Sequence, residues 1–149
     1  MPNIKLHGYA TSPYVRKVGA FLMHKGLTFD FEPVNPLEAQ TQLSAFGGTQ
    51  VPVLEIDGEW KRDSTPIGLW LDALFPENPL VPSDEPARAK VLELDAWVSD
   101  RFMPSYFRAA ADAPNNLAFK HRAWRLAALV SSQSPLPEEV RNAWPTVLK

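Results

Sequence analysis

Residues 50–60 read QVPVLEIDGEW, two short apolar runs on either side of Asp57-Gly58. Asp-Gly between such runs is the strongest short-range signal of a β-hairpin, because both residues tolerate the positive φ angles of a tight two-residue turn. Pro52 opens the first run. The stretch therefore predicts two antiparallel strands, the first of which begins at a proline.

A strand–helix–strand unit precedes this hairpin. Residues 3–8 have the apolar alternation of a strand, and Ser12 and Pro13 suit the N-cap and first position of a helix. The helix extends to about Lys25, and residues 27–34 form the next strand. A crossover of this length forms a right-handed βαβ unit, so these two strands are expected to be parallel.

Two further helices complete the first domain. One is predicted over residues 36–46, and the other follows Asp63-Ser64. The resulting order, β-α-β-α-β-β-α, describes an α/β domain with a mixed sheet covered by helices. We assign residues 1–76 to this domain.

The strand signals stop after this domain. Residues 77–83 form a proline-rich linker, and residues 84–149 have only helical patterns, which predicts an all-α C-terminal region. Its long first helix spans about 85–111, where Pro104 should bend or break it. Further helices are predicted over about 116–132 and 138–148.

The composition excludes several classes of function. The chain has 149 residues, 45% of them hydrophobic, and a formal net charge of -2, so neither nucleic acid nor a membrane is expected as a partner. It has no cysteine, which excludes disulfides, a cysteine nucleophile and thiolate metal sites. Its three histidines are scattered, so no metal is expected. Without a signal-peptide pattern at the start, the expected location is the cytoplasm.

Two helix starts carry the candidate chemistry. Ser12 lies where backbone N–H groups point beyond the helix cap, so its hydroxyl and the helix dipole could stabilise an anion. A donated hydrogen bond to a thiolate would lower the pKa of that thiol from about 8.5. Asp63 and Ser64 occupy a second helix start. At both places the alternative is a purely structural N-cap or Asx turn.

The ordered motifs resemble one family. They are SPYVRKV at 12–18, HKGL at 24–27, QVPVL at 50–54, Asp57-Gly58 and Asp63-Ser64. Together they are similar to the glutathione transferases, most closely to the classes that use serine, over residues 4 to about 75. The resemblance implies a thioredoxin-like domain and an enzyme that activates the thiol of glutathione, its co-substrate, for conjugation to a small electrophilic molecule.

The same resemblance implies a role for each site residue. Ser12 is the catalytic residue that contacts the thiol, with Thr11 and Tyr9 as alternative hydroxyls. The glutathione-binding residues are Gln50, Val51, Pro52, Asp63 and Ser64. Gln50 faces the glycyl end, and a cis Val51–Pro52 bond exposes the Val51 backbone to the cysteinyl unit. Asp63 receives the γ-glutamyl ammonium, and Ser64 with its helix N-terminus receives the α-carboxylate.

Two departures from the family pattern keep a second interpretation open. The loop at residues 45–49 has no basic residue for the glycyl carboxylate, and the helical region is shorter than the family's usual second domain. The alternative is therefore a non-catalytic binding or assembly module, while a glutaredoxin-like oxidoreductase is excluded by the absence of cysteine. A homodimer is expected, formed by the edge at residues 60–70 and the helix near residues 91–97.

Overall fold

The computed structural model describes residues 1–106. The chain divides into two compact units, Met1–Leu92 and Glu93–Lys149. The elements of the first unit are β1 (Ile4–Gly8), α1 (Pro13–His24), β2 (Asp30–Pro33), α2 (Ala39–Gln42), a 3-10 turn (Ser44–Phe46), β3 (Val53–Ile56), β4 (Glu59–Arg62) and α3 (Ser64–Leu74). Helix α4 (Glu85–Trp97) follows, and a π-helical turn (Val98–Phe102) continues it. The helices predicted beyond residue 106 lie outside the described residues.

The sheet has the predicted mixed, thioredoxin-like topology. Its strand order is β2-β1-β3-β4. β1 pairs with β2 in parallel and with β3 antiparallel, with His7 opposite Val53. β3 and β4 form the predicted hairpin, in which Val53 faces Arg62. Asp57 and Gly58 both have positive φ angles, 51° and 90°, as the tight turn requires.

Apolar side chains fill both faces of the sheet. On one face, α1 and α3 cover β1 and β3. The smaller cluster on the other face lies under α2. The first cluster contains Ile4, Leu6, Val15, Val18, Leu22, Leu54, Ile56, Ile67 and Leu71, and the second contains Val34, Ala39, Leu43 and Val53. Since successive strand residues point to opposite faces, β3 contributes to both clusters.

The long helix changes its hydrogen-bond pattern just before Pro104. The Met103 N–H donates to the Val98 carbonyl, five residues back, within the π-helical turn. Pro104 has no N–H, and its ring would collide with the Asp100 carbonyl in a regular helix. The wider turn is therefore how this helix accommodates the proline that was predicted to bend or break it. No helix within residues 1–106 is long and apolar enough to cross a membrane.

A buried lysine ties the end of α3 to the segment that follows it. The Lys25 side chain is fully buried, and its ammonium lies 2.7 Å from the Asp72 carboxylate. It also donates to the carbonyl of Phe75 at 2.7 Å and to those of Glu77 and Asn78 at 3.3 Å. These bonds fix the start of the predicted linker.

The Asp72 carboxylate is held on its other side by backbone amides. It accepts hydrogen bonds from Leu80 at 2.9 Å and Val81 at 3.0 Å. Burial by itself would raise the pKa of Asp72, but the Leu80 amide, Lys25 and the Val81 amide outweigh it and hold that pKa below its usual value. The native fold therefore favours the ionised carboxylate.

Acid will weaken the fold through Asp72. Because its pKa is lower in the native state than in the unfolded chain, its contribution is complete above the unfolded pKa of about 4 and is lost as the pH falls through the native value. Asp72→Asn should be less stable than the wild type at pH 7 and should lose less stability towards pH 3. Urea unfolding between pH 7 and pH 3 measures the stability of each protein and its loss in acid. Asp30→Asn, which removes an exposed carboxyl, is the control. If the free energy of unfolding falls equally in the wild type and in Asp72→Asn as the pH decreases, Asp72 is not the group through which acid weakens the fold.

Candidate functional site

The candidate residues meet at one end of the sheet. β1 ends at Gly8, and the loop to α1 carries Ser12. Because β3 is antiparallel to β1, its start, after Val51 and Pro52, lies at the same end. β4 returns to this end and leads directly into Asp63 and α3. Sheet topology therefore brings together three segments that are far apart in the sequence.

Ser12 caps α1 and keeps its hydroxyl hydrogen available. Its Oγ accepts a hydrogen bond from the Val15 N–H at 3.4 Å, so the structural role considered for it is present. The half-buried hydroxyl has no acceptor within residues 1–106. A hydroxyl can accept with a lone pair and donate its hydrogen at the same time. Capping and donation to a ligand are therefore compatible.

The two neighbouring hydroxyls are placed differently. Thr11 is exposed. The Tyr9 ring packs against the cluster under α2, and burial raises the pKa of this phenol. Ser12 is thus the hydroxyl of the three that lies at the N-terminus of α1.

The Val51–Pro52 peptide bond is cis, as predicted. Pro52 is fully buried, and Val51 packs against both core clusters. β1–β3 pairing ends at Val53, and neither the N–H nor the C=O of Val51 forms a hydrogen bond in the described part of the chain. One donor and one acceptor are therefore open to an extended peptide.

Asp63 has a strained backbone at the start of α3. Its φ and ψ angles are 67° and 135°, a region that residues with a side chain seldom adopt, at a cost of about 1–3 kcal/mol. Its carboxylate accepts a weak hydrogen bond from the Thr65 N–H at 3.5 Å, so the capping role is present here too. The Asp63 side chain is exposed at the sheet end and can also meet a ligand.

Ser64, the first residue of α3, is the most unusual group of the site. It is 1% exposed, yet its hydroxyl has no hydrogen-bond partner among residues 1–106. A buried hydroxyl without a partner costs about 1–3 kcal/mol. It begins an 11-residue helix whose positive end favours an anion. In the first turn the Thr65 and Ile67 N–H groups already bond to Asp63, and Pro66 has none, so the Ser64 N–H is the one left open among the described residues.

The remaining site residues lie around the loop before β3. Gln50 is exposed, with no side-chain hydrogen bond among the residues described. Sequence reasoning missed Arg62, whose Nη1 donates to the Gly47 carbonyl at 2.7 Å. The contact joins residues 15 apart in the sequence, and no local pattern signals it. Within residues 1–106, no cluster of His, Asp and Glu could hold a metal ion.

Comparison with known proteins identifies the family of this chain. Residues 6–79 match the family model for the glutathione S-transferase N-terminal domain. Glutathione S-transferase Z2 of Arabidopsis thaliana is 34% identical over 132 residues, which cover 82% of this chain and 57% of that protein. The chain belongs to the glutathione S-transferase family. It spans about half the length of the curated relatives it matches.

Solved structures share the fold. A Tau class glutathione S-transferase from mango has a TM-score of 0.67 at 23% identity, covering 88% of this chain and 59% of that one. A glutathione transferase homologue from Burkholderia, solved with bound glutathione, has a TM-score of 0.60 at 22% identity. That match covers 98% of this chain and 97% of the homologue. At these identities the likeness establishes the thioredoxin-like architecture.

Proposed function

We propose that this protein binds glutathione at the sheet end and activates its thiol for conjugation to a small electrophilic molecule. The observation that carries the proposal is the Ser64 hydroxyl at the N-terminus of α3, which is buried and has no hydrogen-bond partner in the part of the chain that the structure describes. The α-carboxylate of the γ-glutamyl unit would satisfy that hydroxyl and the backbone N–H of Ser64 together, at the positive end of the α3 dipole. The exposed Asp63 carboxylate beside it suits the γ-glutamyl ammonium.

The rest of glutathione fits the groups left open around Val51. Its cysteinyl unit can pair with the free N–H and C=O of Val51, as an added strand would. Pro52 is fully buried behind this contact and keeps its support rigid. The Burkholderia homologue with bound glutathione supports the choice of this peptide.

The thiol is activated at Ser12. A thiolate there accepts the Ser12 hydroxyl hydrogen and gains from the dipole of α1, which lowers the thiol pKa and increases the nucleophilic form at neutral pH. The thiol proton leaves to solvent. The sulfur then bonds to an electrophilic carbon, and the displaced electron pair leaves with the departing group.

Retention and turnover test this function. The full chain should be retained on immobilised glutathione, should be released by free glutathione, and should conjugate glutathione to an activated aryl chloride. Retention without turnover would support the non-catalytic module instead, and failure to be retained would contradict both. A homodimer remains a prediction of the same resemblance, and a cytoplasmic location remains a prediction from the signal-peptide analysis.

Replacing Ser64 with alanine should separate binding from stability. Loss of a charge-assisted hydrogen bond weakens glutathione binding about tenfold or more. The free energy of unfolding should stay equal or increase, because the lost hydroxyl has no hydrogen-bond partner within residues 1–106 of the free protein. Titration with glutathione and urea unfolding measure the two effects. Ser44→Ala, at an exposed hydroxyl that donates to the Thr41 carbonyl, should leave glutathione binding unchanged.

A further inference from the structure

The four-stranded sheet ends in two edge strands, β2 and β4. An edge strand presents unpaired backbone N–H and C=O groups that can pair with another chain. In β2 this edge is blunted. The Val34 N–H donates to the Gly8 carbonyl, and alternate residues direct their backbone groups to opposite sides, so Pro33 faces outward. A proline has no N–H to offer there.

The β4 edge is open. The Asp57 N–H donates to the carbonyl that precedes β1, so the even-numbered residues of β3 direct their backbone groups to β4. In the β3–β4 ladder their partners are Glu59 and Lys61. Trp60 and Arg62 therefore direct their N–H and C=O groups outward, and within residues 1–106 these groups form no hydrogen bond. Two donors and two acceptors are available to a further strand.

The sequence of β4 is compatible with pairing to a second copy of itself. Residues 59–62 read EWKR. When two such strands pair antiparallel, the residues with outward groups lie opposite each other. Within the strand this leaves three two-fold registers, in which Trp60 lies opposite Trp60, Trp60 lies opposite Arg62, or Arg62 lies opposite Arg62.

The charges of β4 favour the first of these registers. With Trp60 opposite Trp60, Glu59 lies opposite Lys61 on both sides of the two-fold axis, and opposite charges in such a pair attract. The second register places Lys61 opposite Lys61, and the third places Arg62 opposite Arg62, so both bring like charges together. The first register also joins two Trp60 rings that are each 40% exposed on the α2 face, where each contacts Phe46.

We propose that two copies of this chain pair through β4, with Trp60 at the two-fold axis and a Glu59–Lys61 pair on either side, to form one eight-stranded sheet. Each β4 edge then covers the other, and Pro33 blunts the two β2 edges that remain, so the assembly closes at two copies. This interface differs from the one that the family resemblance predicts, which includes the helix near residues 91–97. It does not depend on glutathione binding.

Sedimentation equilibrium of the full chain at micromolar concentration should show a species of twice 16.7 kDa. Glu59→Lys and Lys61→Glu each place like charges opposite each other at two positions, so each should raise the dissociation constant about tenfold or more. The variant with both substitutions has opposite charges again and should return to near the wild-type value. Glu32→Lys makes the same reversal at an exposed position of β2 and should change nothing.

A cross-link tests the position of the two-fold axis. The chain has no cysteine, so Trp60→Cys carries a single thiol in each copy. In a hydrogen-bonded antiparallel pair the Cα atoms lie about 5.5 Å apart, within reach of a disulfide. Oxidation with copper phenanthroline should link two copies of Trp60→Cys and should not link Glu32→Cys.

Three outcomes would overturn the inference. The first is a wild type that stays monomeric at micromolar concentration. The second is a double variant that dissociates as readily as Glu59→Lys alone, because the strands would then not pair in this register. The third is a dimer that Leu94→Glu on α4 dissociates while Glu59→Lys and Lys61→Glu leave it intact, which would place the interface on the helix. Because residues 59, 61 and 94 are exposed, the charge variants should retain the far-UV circular dichroism of the wild type, and they decide the question if Trp60→Cys does not fold.

Discussion

Replacing Lys25 with methionine will lower the free energy of unfolding by about 3–5 kcal/mol. The Lys25 side chain is fully buried and serves four oxygen acceptors: the Asp72 carboxylate and the carbonyls of Phe75, Glu77 and Asn78. Methionine has nearly the same length but donates no hydrogen bond. The substitution therefore preserves most of the packing and leaves a carboxylate without its counter-ion.

Urea unfolding followed by tryptophan fluorescence measures this loss. Lys61→Met is the matched control, because its ammonium lies at the surface, 5.6 Å from the centre of the Trp70 ring, and its removal should cost no more than about 1 kcal/mol. Limited proteolysis gives an independent measurement. Cleavage within residues 76–83 should accelerate in Lys25→Met and not in the control. A stability within 1 kcal/mol of the wild type would show that the ion pair contributes little.

Local sequence signals were sufficient for the sheet and the first helix. Asp57-Gly58 predicted the hairpin correctly, and Ser12-Pro13 predicted the start of α1. Each signal depends only on the conformations of a few neighbouring residues, so it can be read from the local sequence. Boundaries were less accurate. The strand predicted over 27–34 is observed at Asp30–Pro33, and the helix predicted over 36–46 is one α-helical turn followed by a 3-10 turn. β2 is an edge strand that pairs with β1 alone, so fewer hydrogen bonds define its ends.

Long-range polar contacts could not be predicted in the same way. Lys25 is the C-cap of α1, directly before Gly26, where sequence alone suggests only a helix end. Its partners follow about 50 residues later. Arg62 likewise meets a carbonyl that only the hairpin brings near. Periodicity carries no information about such pairs. The position of Ser64 at a helix start was predicted from the local sequence, whereas its role as a ligand group came from the family resemblance.

Replacing Ser12 with alanine will lower kcat/KM for conjugation about ten- to a hundredfold. The hydroxyl-to-thiolate hydrogen bond contributes about 1.5–3 kcal/mol, and each 1.4 kcal/mol is a factor of ten in rate. Glutathione affinity should change much less, because in the proposed function Val51 and Ser64 hold the peptide. The pH–rate profile should shift upward towards the free thiol pKa of about 8.5. Thr11→Ala removes the exposed neighbouring hydroxyl and should keep the wild-type rate and profile.

A second variant separates the hydroxyl from the helix cap. Ser12→Ala also removes the hydrogen bond to the Val15 N–H, which costs about 1 kcal/mol of stability. Aspartate caps a helix as well as serine does, but at neutral pH it has no hydrogen to donate and it repels a thiolate. Ser12→Asp should therefore keep the stability of the wild type and conjugate more slowly than Ser12→Ala. If Ser12→Asp instead restores the rate along with the stability, Ser12 acts only as the cap of α1, and Tyr9 becomes the next hydroxyl to test.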